Sequence, residues 1–152
     1  MRQFYSIPAN VKGVKDYIPH RDPFLFVDEI IEMDDSHIVT GLTLKPEMDL
    51  YRGHYPSNPI TPGVILCESV FQSAGVYVAM KQELEGSEAA AGTPILTRII
   101  DARFKRMALP GDHIRITVTP DRVQAGFHFM KGRIDNDAGQ MIMSVEFAIA
   151  MK

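Results

Sequence analysis

One segment, residues 61–82, reads TPGVILCESVFQSAGVYVAMKQ. Thr61 is a suitable N-cap, and Pro62 suits the first helical position because the N–H that proline lacks has no partner there. From Val64 to about Gln82 the segment is apolar nearly all round, which is typical of a helix wrapped by other structure. We therefore predict a long central helix beginning at Pro62.

Strand patterns flank this helix on both sides. Residues 24–31 form a short apolar run that suits a first strand, and residues 36–44 alternate with a period of two, as in a strand with one buried face. After an exit loop at 83–93, turn signals at 110–112, 120–121 and 136–139 separate the rest of the chain. Four further strands are predicted there, at residues 95–104, 112–119, 124–134 and 140–151.

The order of the predicted elements is two strands, one long helix and then four strands. This order predicts an α+β fold in which an antiparallel sheet curls around the helix. No repeat or linker divides the chain, so residues 1–152 are expected to form a single domain. Open strand edges left over by such a sheet favour dimerisation.

Composition excludes several classes of function. A net charge of −3 argues against a nucleic-acid binder, and the single cysteine, Cys67, excludes an internal disulfide and zinc-knuckle spacings. No uninterrupted apolar run is long enough to span a membrane, and residues 1–20 lack the apolar centre of a signal peptide. A cytoplasmic location is expected.

Four residues in the middle of the chain suggest chemistry. His54 lies in a proline-rich segment, residues 51–62, which is expected to be an ordered loop. Glu68 follows on the helix among apolar neighbours, which favours the protonated form that a general acid needs. Gln72, one turn later, is expected to hydrogen-bond Glu68, and Gly63 offers a backbone N–H at the positive end of the helix dipole. By themselves these residues also fit purely structural roles.

Three stretches resemble the FabZ/FabA-like (3R)-hydroxyacyl-acyl-carrier-protein dehydratases of bacterial fatty acid synthesis. Residues 53–64, GHYPSNPITPGV, resemble the family signature GHFPxxPxxPGV, and residues 19–28, PHRDPFLFVD, resemble PHRYPFLLVD. The third stretch combines ARFKR at 102–106 with PGD at 110–112, and Glu68 and Gln72 have the expected register. The resemblance covers nearly the whole chain.

The resemblance implies a hot-dog fold and a dehydration reaction. In it, His54 handles the C2 proton of the 3-hydroxyacyl thioester, Glu68 protonates the departing hydroxyl, and the Gly63 N–H polarises the thioester carbonyl. It also implies that no metal or redox cofactor is needed, since the phosphopantetheine arm arrives on an acyl carrier protein. The expected assembly is a homodimer, with a trimer of dimers as the larger alternative, and no nucleic-acid partner.

Substrate contacts are expected from the start of the helix, at Gly63, Val64, Phe71 and Gln72. Phe71 stands where small residues are commoner in the family, so it either shortens the acyl tunnel or is simply part of the core. Four positively charged residues lie close together in the sequence: Arg98, Arg103, Lys105 and Arg106. They form either a solvated strand face or a docking patch for the acidic carrier protein.

Two other functions fit the same fold. A hot-dog thioesterase would use a carboxylate to activate water, but the proline-rich His54 segment is not expected there. A non-catalytic acyl-binding homologue stays open. Of the other histidines, His20 is expected to brace the fold, and His37, His113 and His128 are expected to be structural because none has partner ligands at metal spacing.

Overall fold

The computed structural model describes residues 13–87 and 92–152, which form an antiparallel sheet wrapped around one long helix. This is the predicted α+β architecture. Residues 1–12, predicted to carry no signal peptide, and residues 88–91 of the predicted exit loop lie outside the described part. The elements are α1 (Val14–Tyr17), β1 (Glu29–Met33), β2 (Ile38–Thr43), α2 (Leu50–Gly53), α3 (Gly63–Leu84), β3 (Pro94–Phe104), β4 (His113–Gln124), β5 (Phe127–Asn136) and β6 (Met141–Met151). The strands lie in the order β1-β2-β4-β5-β6-β3 across the sheet.

Helix α3 is the predicted central helix, and its start differs from the prediction by one residue. Pro62 is the N-cap and Gly63 the first helical residue. Thr61 does not cap the helix, because its hydroxyl is hydrogen-bonded to the Tyr51 hydroxyl at 2.7 Å. The helix runs two residues beyond Gln82, to Leu84.

The sheet approaches α3 closely where side chains are small. Gly132 of β5 lies against Val70 of the helix, so a Cβ at this glycine would overlap the valine side chain. Thr40 of β2 and Ser73 of α3 share a hydrogen bond of 2.7 Å, which satisfies both buried hydroxyls. By length and composition α3 could cross a membrane, but 78% of its apolar window is buried inside the protein, as expected of a core helix.

The first strand begins later than predicted. Residues 24–28 are not in a strand, and β1 starts at Glu29. The Phe24 carbonyl and the Phe26 N–H, which a strand would use for its ladder, are hydrogen-bonded to the Gln72 side chain of α3. A long-range contact therefore overrides the local strand pattern.

Two turns also differ from the prediction. Pro120 does not end a strand: β4 continues to Gln124, with an irregular register between Pro120 and Arg122, where a proline is tolerated. The chain turns instead at Ala125 and Gly126, whose φ angles of 52° and 81° suit a tight hairpin. In the predicted loop at 51–62, the first residues form the single helical turn α2.

Strand β3 is an open, apolar edge of the sheet. One side pairs with β6, and nearly every residue of the strand is exposed. Its large apolar side chains are 41–52% exposed: Ile95, Leu96, Ile99, Ile100 and Phe104. A long exposed edge of this kind is a surface on which another strand can pair.

Candidate active site

His54 is positioned by its own short segment, residues 54–61, called here the His54 loop. The loop follows α2, and the His54 N–H donates to the Leu50 carbonyl at 3.1 Å. The His54 Nδ1 lies 2.9 Å from the Ile60 carbonyl oxygen, and the Ile60 N–H donates back to the His54 carbonyl at 3.0 Å. Tyr55 stacks on the imidazole, with ring centroids 4.1 Å apart.

These contacts determine the His54 tautomer. A carbonyl oxygen only accepts, so Nδ1 must carry the proton that bonds Ile60. Nε2 then keeps its lone pair in the neutral ring. The arrangement presents a proton acceptor at Nε2, which is what a general base requires.

Glu68 is positioned by a different set of contacts, formed with Gln72 and His20 and called here the Glu68 site. The expected hydrogen bond is present: the Gln72 Nε2 donates to the Glu68 Oε1 at 3.0 Å. The side chain of Glu68 is 23% exposed, so solvent or substrate can reach it.

Gln72 is buried, and its amide is held by the backbone of a distant segment. Its Oε1 accepts from the Phe26 N–H at 2.7 Å, and its Nε2 donates to the Phe24 carbonyl at 3.1 Å as well as to Glu68. An N–H on one side and a carbonyl on the other leave only one orientation for the amide. The Gln72 N–H is therefore always presented to Glu68.

His20 also faces Glu68, which the sequence did not suggest. Its Nε2 is 3.6 Å from the Glu68 Oε1, and its Nδ1 is buried without a hydrogen-bond partner in the described ranges. Arg21 holds the backbone beside it, donating to the carbonyls of His20 and Ile18 at 2.7 and 2.9 Å. The PHR motif was the available signal, but it does not reveal which residue the histidine faces.

Gly63 and Val64 begin α3 beside the end of β3. The N–H groups of a first helical turn have no partner within the helix, so this end of α3 can polarise an incoming oxygen. A side chain at Gly63 would come within 2.8 Å of the Phe104 ring. Val64 is 74% exposed, an unusual environment for an apolar side chain unless it faces a ligand or a second chain.

Within the described ranges, no hydrogen bond or ion pair joins His54 to Glu68, and each residue has the separate partners given above. An open groove of about 1010 Å³ lies beside residues 22–28 and 45–50, with Ile65 of α3 in its wall. Neither His54 nor Glu68 lines this groove.

The remaining predicted site residues occupy two regions. Phe71 is buried, with its ring 4.9 Å from that of Phe147 on β6, so it packs in the core whatever else it does. The four candidate docking residues lie on β3 and just after it, and all are exposed. Arg103 pairs with Asp101 at 3.0 Å, and Arg106 donates to the Met141 carbonyl at 2.8 Å.

Other titratable groups have structural surroundings. Burial raises the pKa of the Cys67 thiol, which makes it a poor nucleophile. His37 lies between Glu32 and Asp34, at 2.9 and 3.0 Å. Across residues 13–87 and 92–152, no group of three His, Cys, Asp or Glu side chains is arranged to hold a metal ion.

Comparison with known proteins identifies relatives along most of the chain. Residues 18–146 match the family described as a FabA-like domain. A protein of Clostridium perfringens named 3-hydroxyacyl-[acyl-carrier-protein] dehydratase FabZ is 31% identical over 93% of this chain and 98% of its own. A protein of the same name from Idiomarina loihiensis is 34% identical over 94% and 93% of the two chains.

Solved structures match the fold. The dehydratase heterocomplex ApeI:P from Xenorhabdus doucetiae contains a chain that superposes with a TM-score of 0.78, at 17% identity over 94% of this chain and 93% of that chain. The E. coli PaaI protein from the phenylacetic acid degradation operon gives a TM-score of 0.60 at 15% identity, over 80% of each chain. Both similarities support the hot-dog architecture.

Proposed function

The chain belongs to the FabA-like family and is a 3-hydroxyacyl-[acyl-carrier-protein] dehydratase, a hydro-lyase of fatty acid biosynthesis, and we propose that His54 and Glu68 carry its two proton transfers. The observation that carries this proposal is the 2.9 Å contact between the His54 Nδ1 and the Ile60 carbonyl oxygen. With Nδ1 donating to Ile60, only Nε2 is available as a base.

The reaction needs a base and an acid that act on the same bound substrate. His54 Nε2 takes the C2 proton of the (3R)-hydroxyacyl thioester, and the electron pair of that C–H bond forms the C2=C3 double bond. Glu68 gives its proton to the 3-hydroxyl as the C3–O bond breaks, so water leaves and a trans-2-enoyl thioester remains. The Gly63 N–H stabilises the negative charge that develops on the thioester carbonyl oxygen.

A second copy of the chain completes this site. The β3 edge is long, apolar and unpaired on one side, which favours pairing with the same strand of another copy. The His54 loop is tied to the segment that follows β3, since the Thr61 N–H donates to the Ala108 carbonyl at 2.8 Å, and Phe104 at the end of β3 packs on Gly63 at the start of α3. We infer that pairing along β3 brings the His54 loop of one copy to the α3 of its partner. The minimal assembly is a homodimer, and a trimer of dimers is the larger alternative.

The partner that delivers substrate is an acyl carrier protein, and the phosphopantetheine arm belongs to that substrate. No cofactor takes part in the proposed steps, because both proton transfers use side chains of this protein. The exposed cations Arg98, Arg103, Lys105 and Arg106 offer a surface of complementary charge to an acidic carrier. The enzyme is expected to work in the cytoplasm.

Charge reversal tests the docking surface. Lys105→Glu should raise KM for the carrier-bound substrate and leave KM for a short pantetheine thioester within about twofold, because only the carrier contacts the surface charge. Arg122→Glu, at an exposed cation near the end of β4, is the matched control. Equal effects on both substrates would contradict docking at Lys105.

Hydration of a crotonyl thioester tests the reaction itself, since dehydration is reversible. The purified protein should lower the enoyl absorbance and release no free thiol. Release of thiol would indicate the thioesterase alternative, and binding without either change would indicate an acyl-binding homologue. Glu68→Gln should abolish the hydration, because in this direction Glu68 must take a proton from the attacking water and an amide is too weak a base to do so.

A further inference from the structure

His20 has an environment that a bracing role does not explain. Its imidazole is mostly buried. The ring nitrogen Nε2 faces the Glu68 side chain of α3, 3.6 Å from its Oε1. Its other nitrogen, Nδ1, is buried and has no hydrogen-bond partner in the part of the chain that the structure describes. A histidine retained only for packing has no reason to leave a buried nitrogen unpaired.

The unpaired nitrogen indicates which tautomer is present. If the proton were on Nδ1, a buried donor would lack an acceptor, and the Nε2 lone pair would face an oxygen lone pair of Glu68. With the proton on Nε2, the donor faces Glu68 and only an acceptor is left unpaired at Nδ1, which proteins tolerate better. The neutral ring is therefore expected to present Nε2–H to Glu68.

The second oxygen of Glu68 is left for the reaction. Gln72 always donates to Oε1, and His20 approaches the same oxygen. Because Oε1 accepts the Gln72 N–H and faces the His20 Nε2 at 3.6 Å, the carboxyl proton is expected on Oε2. The Gln72 amide keeps its orientation when Glu68 loses this proton, because Phe24 and Phe26 hold it.

We propose that His20 is a positioning residue for the dehydration: its Nε2–H directs the Glu68 proton to Oε2 and stabilises the carboxylate that remains when the hydroxyl leaves. This inference rests on the proposed role of Glu68 as the acid. The described groups that act on Glu68 are His20 from the N-terminal segment, Gln72 on its own helix and the neighbouring Cys67 thiol. His20 is thus the titratable group from another element that faces this carboxylate in the described chain.

Two amide variants separate the hydrogen bond from the bulk of the ring. In His20→Gln, the side-chain N–H reaches the place of Nε2, so kcat should stay within about threefold of wild type. In His20→Asn, the amide reaches only as far as Nδ1, so kcat for a (3R)-hydroxybutyryl pantetheine thioester should fall about tenfold. KM should change by less than about twofold in both variants, because His20 acts on the acid rather than on the bound substrate.

Two readouts distinguish a positioning role from a structural one: the rescue of kcat by His20→Gln, and the fall of kcat without a rise of KM. His37→Asn, at another histidine that contacts carboxylates, is the control and should leave both kinetic constants unchanged.

Each outcome supports or overturns the inference. Equal loss in the Asn and Gln variants, or a KM that rises as much as kcat falls in His20→Asn, would overturn it and leave His20 as packing. The proposed function fails separately, if Glu68→Gln keeps its activity.

Discussion

The His54 loop and the Glu68 site differ in the length of chain that holds them. His54 is fixed by a carbonyl six residues away, within its own loop. Glu68 depends on Gln72, whose amide is fixed by backbone groups 46 and 48 residues away. A substitution in the His54 loop can therefore change activity without changing the fold. A substitution that disturbs the long-range contacts of the Glu68 site should lower both activity and stability.

Replacing His54 should give the largest loss of activity with the smallest structural effect. His54→Ala removes the base, so turnover should fall at least about 100-fold. The free energy of unfolding should change by no more than about 0.5 kcal/mol, because the ring is half-buried in a loop. Steady-state rates and chemical denaturation check both values. His37→Ala is the control, and activity within about tenfold of wild type in a folded His54→Ala protein would refute the assignment.

Gln72→Glu should damage activity and stability together. The new side chain cannot donate to Phe24 or Glu68, and it places a second carboxyl group beside Glu68. We expect a loss of about 2–3 kcal/mol in unfolding free energy and about a tenfold lower turnover. The same substitution at Gln82, near the end of α3, is the matched control. A stable but inactive Gln72→Glu protein would show that the two functions of Gln72 are separable.

Phe71→Ala tests whether a core residue of α3 also limits the acyl chain. Truncating a buried phenyl ring should lower the unfolding free energy by about 3–5 kcal/mol. If the ring also narrows the tunnel, the ratio of activity on long to short acyl thioesters should rise. Phe147→Ala, which removes the ring packed against Phe71, should destabilise without this shift. An unchanged profile in Phe71→Ala would mean that Phe71 is core only.

His113, which belongs to neither region, gives a small pH effect on stability. It lies between Asp137 and Glu29, and the hydrogen bond and charge of Asp137, aided by Glu29, raise its pKa in the folded protein. Its contribution to stability is therefore complete below the ordinary histidine pKa of about 6.5 and is lost as pH rises through the higher folded value. The difference in unfolding free energy between wild type and His113→Gln should shrink between pH 6 and pH 9. A difference that grows with pH would contradict the pairing.

Local patterns predicted the parts of this protein that local forces determine. The apolar sequence of α3, the alternation in β6 and the Gln72–Glu68 spacing follow from helix and strand geometry. The pattern of residues 36–44 predicted the strand β2 correctly, but its single buried face was wrong, because five of the six residues of β2 are buried. The His54 motif was also recognisable, because its hydrogen bonds close within the loop.

Two of the errors share one physical cause, which is competition from groups outside the local pattern. The Phe24–Phe26 backbone is not in the predicted first strand because it is hydrogen-bonded to Gln72, and the Thr61 hydroxyl does not cap α3 because it is hydrogen-bonded to Tyr51. The contact of His20 with Glu68, which the sequence did not suggest, joins two residues that are 48 positions apart. Rules based on local sequence spacing cannot predict such a contact.

The central claim is that His54 and Glu68 of different chains form one site. His54→Ala and Glu68→Gln proteins, each inactive alone, should be mixed and allowed to exchange subunits, and native mass spectrometry should confirm that heterodimers form. Each heterodimer would then contain one site with both groups intact and one with neither, so activity should reappear, approaching half of the wild-type rate per heterodimer. Heterodimers whose dehydration rate stays at the level of the separate variants would contradict the shared site.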